Sequence, residues 1–455
     1  MIYIFYFHLL MKINQDSYHS FLNENRYMIK DQSILADQTA SSFPLKCVEH
    51  FLQESIYPYY TNTHSNNILG RKMADYVNTC KNYIKKCINA DDATHAIIFT
   101  GHGATGAINH FVSSAQLDNT TVFVSKMEHY SNYLPWQNAG AKIILIDVLD
   151  TGLIDLMDLE TQLSSVSNRK IVSMSACSNI TGVIQDVSAI SQLARKYSAI
   201  TCFDYAASAP YVPIDMAYLD AIFISPHKFP GGQSTPGLLI CKKNLLTKRV
   251  TPGGGTVRFV SQNETIYSEN VEQRESGGTP NIIGIIKVAL VFYIKQHYIR
   301  DIQYDEHRLT ITFQEELLKI QERNDNLEIL NPIMNLNRLP IFIIRIKNGS
   351  SYYHYNYIVA LLSDLFCIYV RGGVSCAGMY AEKLTGCDTL KTKEFILSNK
   401  GVPGDYGFIR ITLHSLHSLD DIERILKAIE YVCINAENHL SAYTYDPIKN
   451  LFKKK

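Results

Sequence analysis

What the chain lacks narrows its class before any motif is read. Neither sign of charge is in excess, since 43 Lys and Arg face 43 Asp and Glu in 455 residues. A nucleic-acid-binding surface and an acidic disordered composition are therefore both unexpected. The ten cysteines contain no CxxC pair, so the common zinc and redox spacings are missing and no metal site is expected. No secretory leader is expected either, and scattered thiols then read as reduced cysteines of a cytoplasmic protein. Nor is there an apolar run that reads as a membrane span. Met1–Leu10 is apolar, yet it is shorter than the roughly 20 residues a span requires and lacks a basic start and a small-residue cleavage site. Met11 is the expected start. The longer run from Ile282 to Tyr298 is interrupted by Lys287 and Lys295, which favours a core helix. No internal repeat or low-complexity segment occurs. What remains is a globular chain, 46% hydrophobic and 19% charged, long enough for one large core and a smaller second one. Its expected partner is a small molecule.

The strongest local signal is Ser225-Pro226-His227-Lys228, which follows the apolar run Asp220–Ile224 and precedes Phe229-Pro230-Gly231-Gly232. The run reads as a buried strand, which puts Lys228 at a strand's carboxyl end. Ser225 and His227 offer donors to an anion, and the two glycines let backbone approach a ligand. Upstream, Ala199–Phe203 reads as another short strand, ending in Asp204, a residue that a buried strand has little reason to carry. A lysine so placed suits a Schiff base. Pyridoxal phosphate needs that lysine, donors for its phosphate and a carboxylate for its pyridine nitrogen.

The flanking sequence supports a site at one sheet edge. Thr94–Thr100 reads as a strand, and Gly101-His102-Gly103-Ala104-Thr105-Gly106 opens a helix whose free N–H groups can seat a phosphate. Strands at Thr121–Ser125, Lys142–Asp147 and Lys170–Ser175 alternate with helices capped by Asp155 and Asp186. That rhythm predicts an α/β fold: a mainly parallel sheet flanked by helices, with the ligand at the strands' carboxyl ends. Gly237–Cys241 is the expected antiparallel strand that closes the sheet. We divide the chain into an arm (1–42), a large domain (43–300), a smaller α+β domain (301–440) and a tail (441–455). The arm is expected to lie over the second domain or a partner subunit. In the small domain we expect helices at Glu306–Glu322, Tyr355–Phe366 and Leu419–Ile434, strands at Pro340–Lys347, Cys367–Arg371 and Phe408–Leu413, and a frayed Lys453–Lys455 end.

These residues resemble the fold-type I pyridoxal phosphate enzymes of aminotransferase class V, the group that includes cysteine desulfurases and selenocysteine lyases. Glu128-His129-Tyr130-Ser131-Asn132 followed by Pro135-Trp136, with the chain's single tryptophan, resembles that family's Glu-His-His-x-Asn segment. Tyr130 stands where the family has a second histidine. The resemblance implies that His129 stacks on the pyridine ring, and a pKa near neutrality would let it shuttle a proton. It implies that Ala104, Thr105, Ser225 and His227 serve the phosphate, Asp204 the ring nitrogen, Lys228 the covalent link, and Asn179, in Ser178-Asn179-Ile180-Thr181-Gly182, the cofactor's phenolic oxygen or the substrate. Asn62-Thr63-His64-Ser65, Gly253-Gly254-Gly255 and Gly278-Thr279-Pro280-Asn281 also match family segments. Thr279 by this resemblance reaches the phosphate held by the opposite subunit, which implies a homodimer with shared active sites.

An amino-acid substrate needs its carboxylate held, and arginine does this through paired hydrogen bonds. Arg410 in Arg410-Ile411-Thr412-Leu413 and Arg371 are the candidates. Cys376 follows Arg371 by five residues, the spacing of the sulfur-accepting cysteine in one group of cysteine desulfurases, and its flanking glycines suggest a mobile, accessible segment with Arg371 nearby to favour the thiolate. The expected activity is cysteine desulfurase-like carbon–sulfur cleavage giving alanine and a protein persulfide, with a sulfur-acceptor protein as a further partner. A class V aminotransferase, another lyase or an epimerase is the alternative, and a catalytically silent scaffold is a third. One departure bears on the choice: desulfurases often carry Gln or His where this chain has Ala207. Ser208 is the candidate to replace it.

Overall fold

Alternating apolar residues explain how the large domain is layered. In the computed structural model, which describes residues 17–27, 33–333 and 337–455, the arm contributes helix α1 (Tyr18–Asn25) and strand β1 (Ile34–Leu35). Met1–Leu10 lies outside the described residues. Seven strands then form one sheet: β2 (His95–Thr100), β3 (Thr120–Ser125), β4 (Lys142–Ile146), β5 (Arg169–Ser175), β6 (Ile200–Asp204), β7 (Ala221–Ile224) and β8 (Gly237–Lys242). Ile97, Phe203, Ile222 and Ile240 face one apolar cluster, while their neighbours Ile98, Cys202, Phe223 and Leu239 face another on the opposite side. Side chains of successive strand residues point to opposite faces, so strands apolar at every position need cover on both. Helix α2 (Gly103–Ser114) supplies part of it, with Phe111 packed edge-on against Phe223.

The sheet order is β2-β8-β7-β6-β5-β3-β4. Strand β8 is antiparallel to both neighbours, and the other pairings are parallel. The expected antiparallel strand is thus present, but it inserts between β2 and β7 instead of closing the sheet. Ser125, Ser175 and Asp204 end β3, β5 and β6, and Ser225 follows β7. All four therefore lie along one edge.

After the exposed hairpin β9 (Val257–Val260) and β10 (Thr265–Tyr267), a single helix α3 runs from Ile282 to Arg323, 42 residues. Two helices were expected here. No proline occurs in the helix and its one glycine, Gly284, sits in the first turn, so nothing between Tyr298 and Glu306 breaks it. Its first half packs in the large core, and Leu309, Phe313, Leu317 and Ile320 pack in the small one. The helix therefore spans the boundary drawn at residue 300. Its two buried lysines are satisfied at once, Lys287 by Glu49 and Lys295 by the Val212 carbonyl, each at 2.5 Å.

The small domain adds β11 (Leu327–Leu330), β12 (Ile341–Asn348), β13 (Ser351–Tyr352), helix α4 (Tyr355–Phe366), β14 (Ile368–Tyr369), β15 (Arg371–Gly373), helix α5 (Gly378–Thr385), β16 (Phe408–Thr412) and helix α6 (Leu419–Leu440). Its sheet runs β11-β12-β16-β15, with β13 paired to β12. The strand expected over Cys367–Arg371 is divided. Strand β14 pairs in parallel with β1 of the arm, whereas β15 pairs with β16. The end expected to fray is a hairpin instead, β17 (Tyr443–Asp446) with β18 (Leu451–Lys454). Tyr445 and Phe452 hold it by packing on His354 and Tyr357.

Candidate active site

A cavity of about 200 Å³ opens where the carboxyl ends of β5, β6 and β7 meet the small domain. Ala104, Thr105, His129, Asn179, Asp204, Ser225, His227, Lys228, Arg371, Cys376 and Arg410 all line it. Eleven of the twelve residues expected at the site are thus brought together. The twelfth, Thr279, lies elsewhere: it accepts a hydrogen bond from Asn62 Nδ2 at 3.1 Å and lines a separate cavity with His64.

The floor is made by strand ends. Asp204 is 5% exposed, and burial raises the pKa of its carboxyl against the Ala206 N–H that it accepts at 2.8 Å and the charge of Lys228. Lys228 closes the short turn Pro226–Lys228. Burial lowers its amine to about 8, with Arg410 and Arg371 adding to the shift and Asp204 and Asp37 opposing it. A lysine with that pKa exists partly as the free amine near neutral pH, the form that reacts with a carbonyl.

His129 is held by what lies beneath it. Glu128, 1% exposed, accepts from Ser125 Oγ (2.5 Å), Ser175 Oγ (2.6 Å), Ser175 N (2.9 Å) and Asn132 Nδ2 (2.7 Å), and burial still pushes its carboxyl up to about 7. The loop is pinned on both sides of the histidine. His129 Nδ1 accepts from Ser131 N at 3.1 Å, which leaves the ring proton on Nε2. The near-neutral pKa expected of it is corrected: burial, then Lys228, Arg410 and Arg371, lower it to about 4. At pH 7 the ring is neutral.

The start of α2 fits an anion. Its N-cap His102 makes no side-chain capping bond, and Ser225 Oγ accepts from Ala104 N at 2.8 Å. Thr105 Oγ1 is 2.7 Å from Ser131 Oγ, a contact that sequence reading missed because Ser131 sits in a motif known for its histidine. Gly103 has φ +52, and a Cβ there would lie 2.8 Å from Ser225 Oγ and 3.4 Å from His227 Nε2. The turn is kept open by the absence of that atom. An amine near pKa 8, a buried carboxylate at a strand end, a flat neutral imidazole and this phosphate seat together fit pyridoxal phosphate.

The opposite wall comes from the arm and the small domain. Arg410, 3% exposed on β16, donates from Nη1 to the Asn179 carbonyl at 2.9 Å and from Nη2 to Asp37 Oδ1 at 2.7 Å. Arg371 Nε donates to Asp37 Oδ2 at 2.9 Å. Asp37 was missed; it stands in a polar, aperiodic stretch whose only signal is the apolar pair Ile34-Leu35 before it. The Asn179 amide, expected at the cofactor or substrate, instead donates to the Ser375 carbonyl at 2.7 Å. Tyr130 N donates to the Cys376 carbonyl at 2.7 Å. Cys376 is exposed, but the segment is a held turn, with Ser375 and Cys376 both left-handed at φ 48 and 58. Non-glycine residues in that region cost roughly 1–2 kcal/mol each, so the two hydrogen bonds hold a strained shape. Ala207 lines the cavity, whereas Ser208 is fully buried with its hydroxyl unpaired and does not. Ser208 is thus no replacement for the missing Gln or His.

Comparison with known proteins points to one family. The model of the aminotransferase class-V family matches residues 34–425. A probable cysteine desulfurase of Halalkalibacterium halodurans is 31% identical over 290 residues, 61% of this chain and 70% of that protein. One from Borreliella burgdorferi is 30% identical over 372 residues, 78% of this chain and 83% of that protein. The apo structure of a cysteine desulfurase from Thermococcus onnurineus superposes with a TM-score of 0.77 at 23% identity, covering 91% of this chain and 98% of that one.

Proposed function

The chain belongs to the aminotransferase class-V family, a family of pyridoxal-phosphate-dependent enzymes, and from that premise we propose that it cleaves the carbon–sulfur bond of cysteine, yielding alanine and a persulfide on Cys376. One observation carries the reading. A single cavity holds Lys228, Arg410 and the exposed thiol of Cys376. Asp204 would hold the cofactor's ring nitrogen protonated, His129 its ring face, and Ala104, Thr105, Ser225 and His227 its phosphate. When bound, the cofactor supplies an electron sink for negative charge at the amino acid's Cα.

The chain's own residues account for the rest. Arg410 holds the substrate carboxylate with the donors that Asn179 and Asp37 leave free. Lys228, as the free amine, takes the Cα proton and later returns one. The Cys376 thiolate forms a bond to the substrate sulfur as the Cβ–S bond breaks. The electron pair of that bond stays with Cβ, which takes a proton to give alanine, and sulfur remains on Cys376. No external oxidant or reductant is required.

The test is to supply the purified protein with pyridoxal phosphate and cysteine and to measure alanine and protein-bound persulfide. Cys376→Ala should keep the cofactor's visible absorbance and lose both products. Ala207, lining the cavity where desulfurases often carry Gln or His, favours the second reading, an aminotransferase or a lyase that needs no protein thiol. Undiminished alanine from Cys376→Ala would select that reading.

We also propose a homodimer that shares its sites. Supporting it are the position of Thr279 and Asn62 away from Lys228 and the exposed apolar residues Phe259, Val260 and Ile266 of the β9–β10 hairpin and Ile68. A cytoplasmic location and a sulfur-acceptor protein docking over the exposed Cys376 complete the proposal.

A further inference from the structure

The carboxylate of Asp37 bridges the two guanidinium groups of the cavity. It receives Arg410 Nη2 at 2.7 Å on one oxygen and Arg371 Nε at 2.9 Å on the other. Asp37 is anchored as backbone: Thr412 N donates to the Ala36 carbonyl and Ala36 N to the Tyr369 carbonyl, each at 2.8 Å. Thr39 Oγ1 lies 3.1 Å from Thr412 Oγ1. The Asp37 side chain is 15% exposed, against 45% for Arg371 and 3% for Arg410. Arg410 Nε is enclosed and has no hydrogen-bond partner, and Nη1 and Nη2 each keep one N–H beyond those given to Asn179 and Asp37. An enclosed guanidinium N–H without an acceptor is a costly arrangement. Arg371 is bonded to Asp37 through Nε, so what Asp37 removes is charge: one carboxylate is set against two guanidinium groups, and a single net positive charge remains for a substrate.

Resting on the desulfurase reading above, we propose that Asp37 sets the substrate specificity of this site: by bridging Arg371 and Arg410 it neutralises one of their two charges, leaving one for an α-carboxylate and none for an acidic side chain. The site then takes an amino acid with a single carboxylate. A second anion would have to compete with Asp37 for Arg371 and would meet its charge at close range. Without the Asp37 charge, Arg371 becomes a free cation facing the same cavity. A charge-assisted hydrogen bond from it would reward a substrate that carries a side-chain carboxylate.

The test is an equilibrium titration of the cofactor-loaded protein, following the visible band of the bound cofactor, with L-alanine and with L-aspartate as unreactive probes. In the parent, alanine should bind more tightly than aspartate. Asp37→Asn should shift the ratio of the two dissociation constants toward aspartate by roughly tenfold or more, the size expected for a new charge-assisted contact. Asp37→Glu, which keeps the charge, should hold the parental ratio. The double variant Asp37→Asn/Arg371→Gln should lose the gain, because the freed arginine is its source. An unchanged ratio in Asp37→Asn, or a gain that survives in the double variant, overturns the proposal. Thermal melting of each variant separates misfolding from a specificity change, and if Asp37→Asn fails to fold, Arg371→Gln compared with the parent decides: the proposal expects no shift of the alanine-to-aspartate ratio toward aspartate, since the charge of Arg371 is already matched by Asp37, and such a shift overturns it. A parent that makes no alanine from cysteine sinks the desulfurase reading and leaves the binding ratios to judge Asp37 separately.

Discussion

Asp204, Ser225 and Lys228 on the floor of the cavity stand at or just past the ends of β6 and β7, neighbouring strands of one sheet, whereas Asp37 and Arg371 on the facing wall are 334 residues apart in sequence. The floor is held by strand register: Ser175 pairs with Asp204, and Asp204 with Phe223. The wall is held by individual polar contacts, among them Asp37 on two arginines, Asn179 on Ser375 and Tyr130 on Cys376. Register fixes many residues at once, so a floor residue owes its place to the whole sheet. A wall residue owes its place to one or two neighbours. The division also matches the proposed chemistry, with the residues assigned to the cofactor mostly on the floor and those proposed for substrate and sulfur on the wall.

Substitutions should separate the two regions by what each one costs. Lys228→Ala should have the largest effect: protein supplied with pyridoxal phosphate should lose the visible absorbance of the parent, and turnover should fall roughly 10³-fold or more. Retained absorbance would remove Lys228 from the floor's role. Asp204→Asn should bind cofactor but lose about 10²-fold in turnover, since a neutral partner no longer stabilises a protonated ring nitrogen. Equal turnover in variant and parent would count against that assignment.

A third measurement uses pH. The reactive form of Lys228 is the neutral amine, and its pKa is lowered to about 8. The rate at which cofactor-free protein takes up pyridoxal phosphate should therefore climb about tenfold per unit below pH 8 and level off above it. A rise continuing toward pH 10.5 would mean that the buried site does not lower this lysine. The smallest effect belongs to the wall. Asn179→Ala removes the amide that holds the Ser375 carbonyl, and should cost about 1 kcal/mol of stability. It should leave the cofactor absorbance intact and change only the rate at which Cys376 is alkylated. Loss of the absorbance would show that floor and wall are not separable.

The same contrast explains what could be read in the sequence. Short apolar runs ending in Asp204 and before Ser225 have a period and a length that specify a strand, so the floor and its edge were legible from residues alone. Arg371, Arg410 and Cys376 became legible only through resemblance to family motifs, because neither their spacing nor their neighbours dictate a shared cavity. Asp37 was not legible at all. Its partners come from β15 and β16, and nothing local to Ala36-Asp37-Gln38 announces them. The near-neutral pKa expected for His129 failed for a related reason: a motif identifies the ring, whereas burial and three nearby cations set its proton affinity. The continuous α3 and the terminal hairpin were missed because polar residues there look like interruptions, although their helical and strand backbones are stabilised by distant packing.

That continuous helix has a mechanical consequence. Ile282–Ile302 is embedded in one core and Leu309–Ile320 in the other, so both cores are threaded on the same stiff rod of 42 residues. Rotating one core against the other would mean bending the rod, and melting one would strip the other of the residues it packs around. Heat should therefore take the molecule apart in one step, and small movements of the arm and the Cys376 turn, not a hinge between halves, are the economical way to admit a substrate.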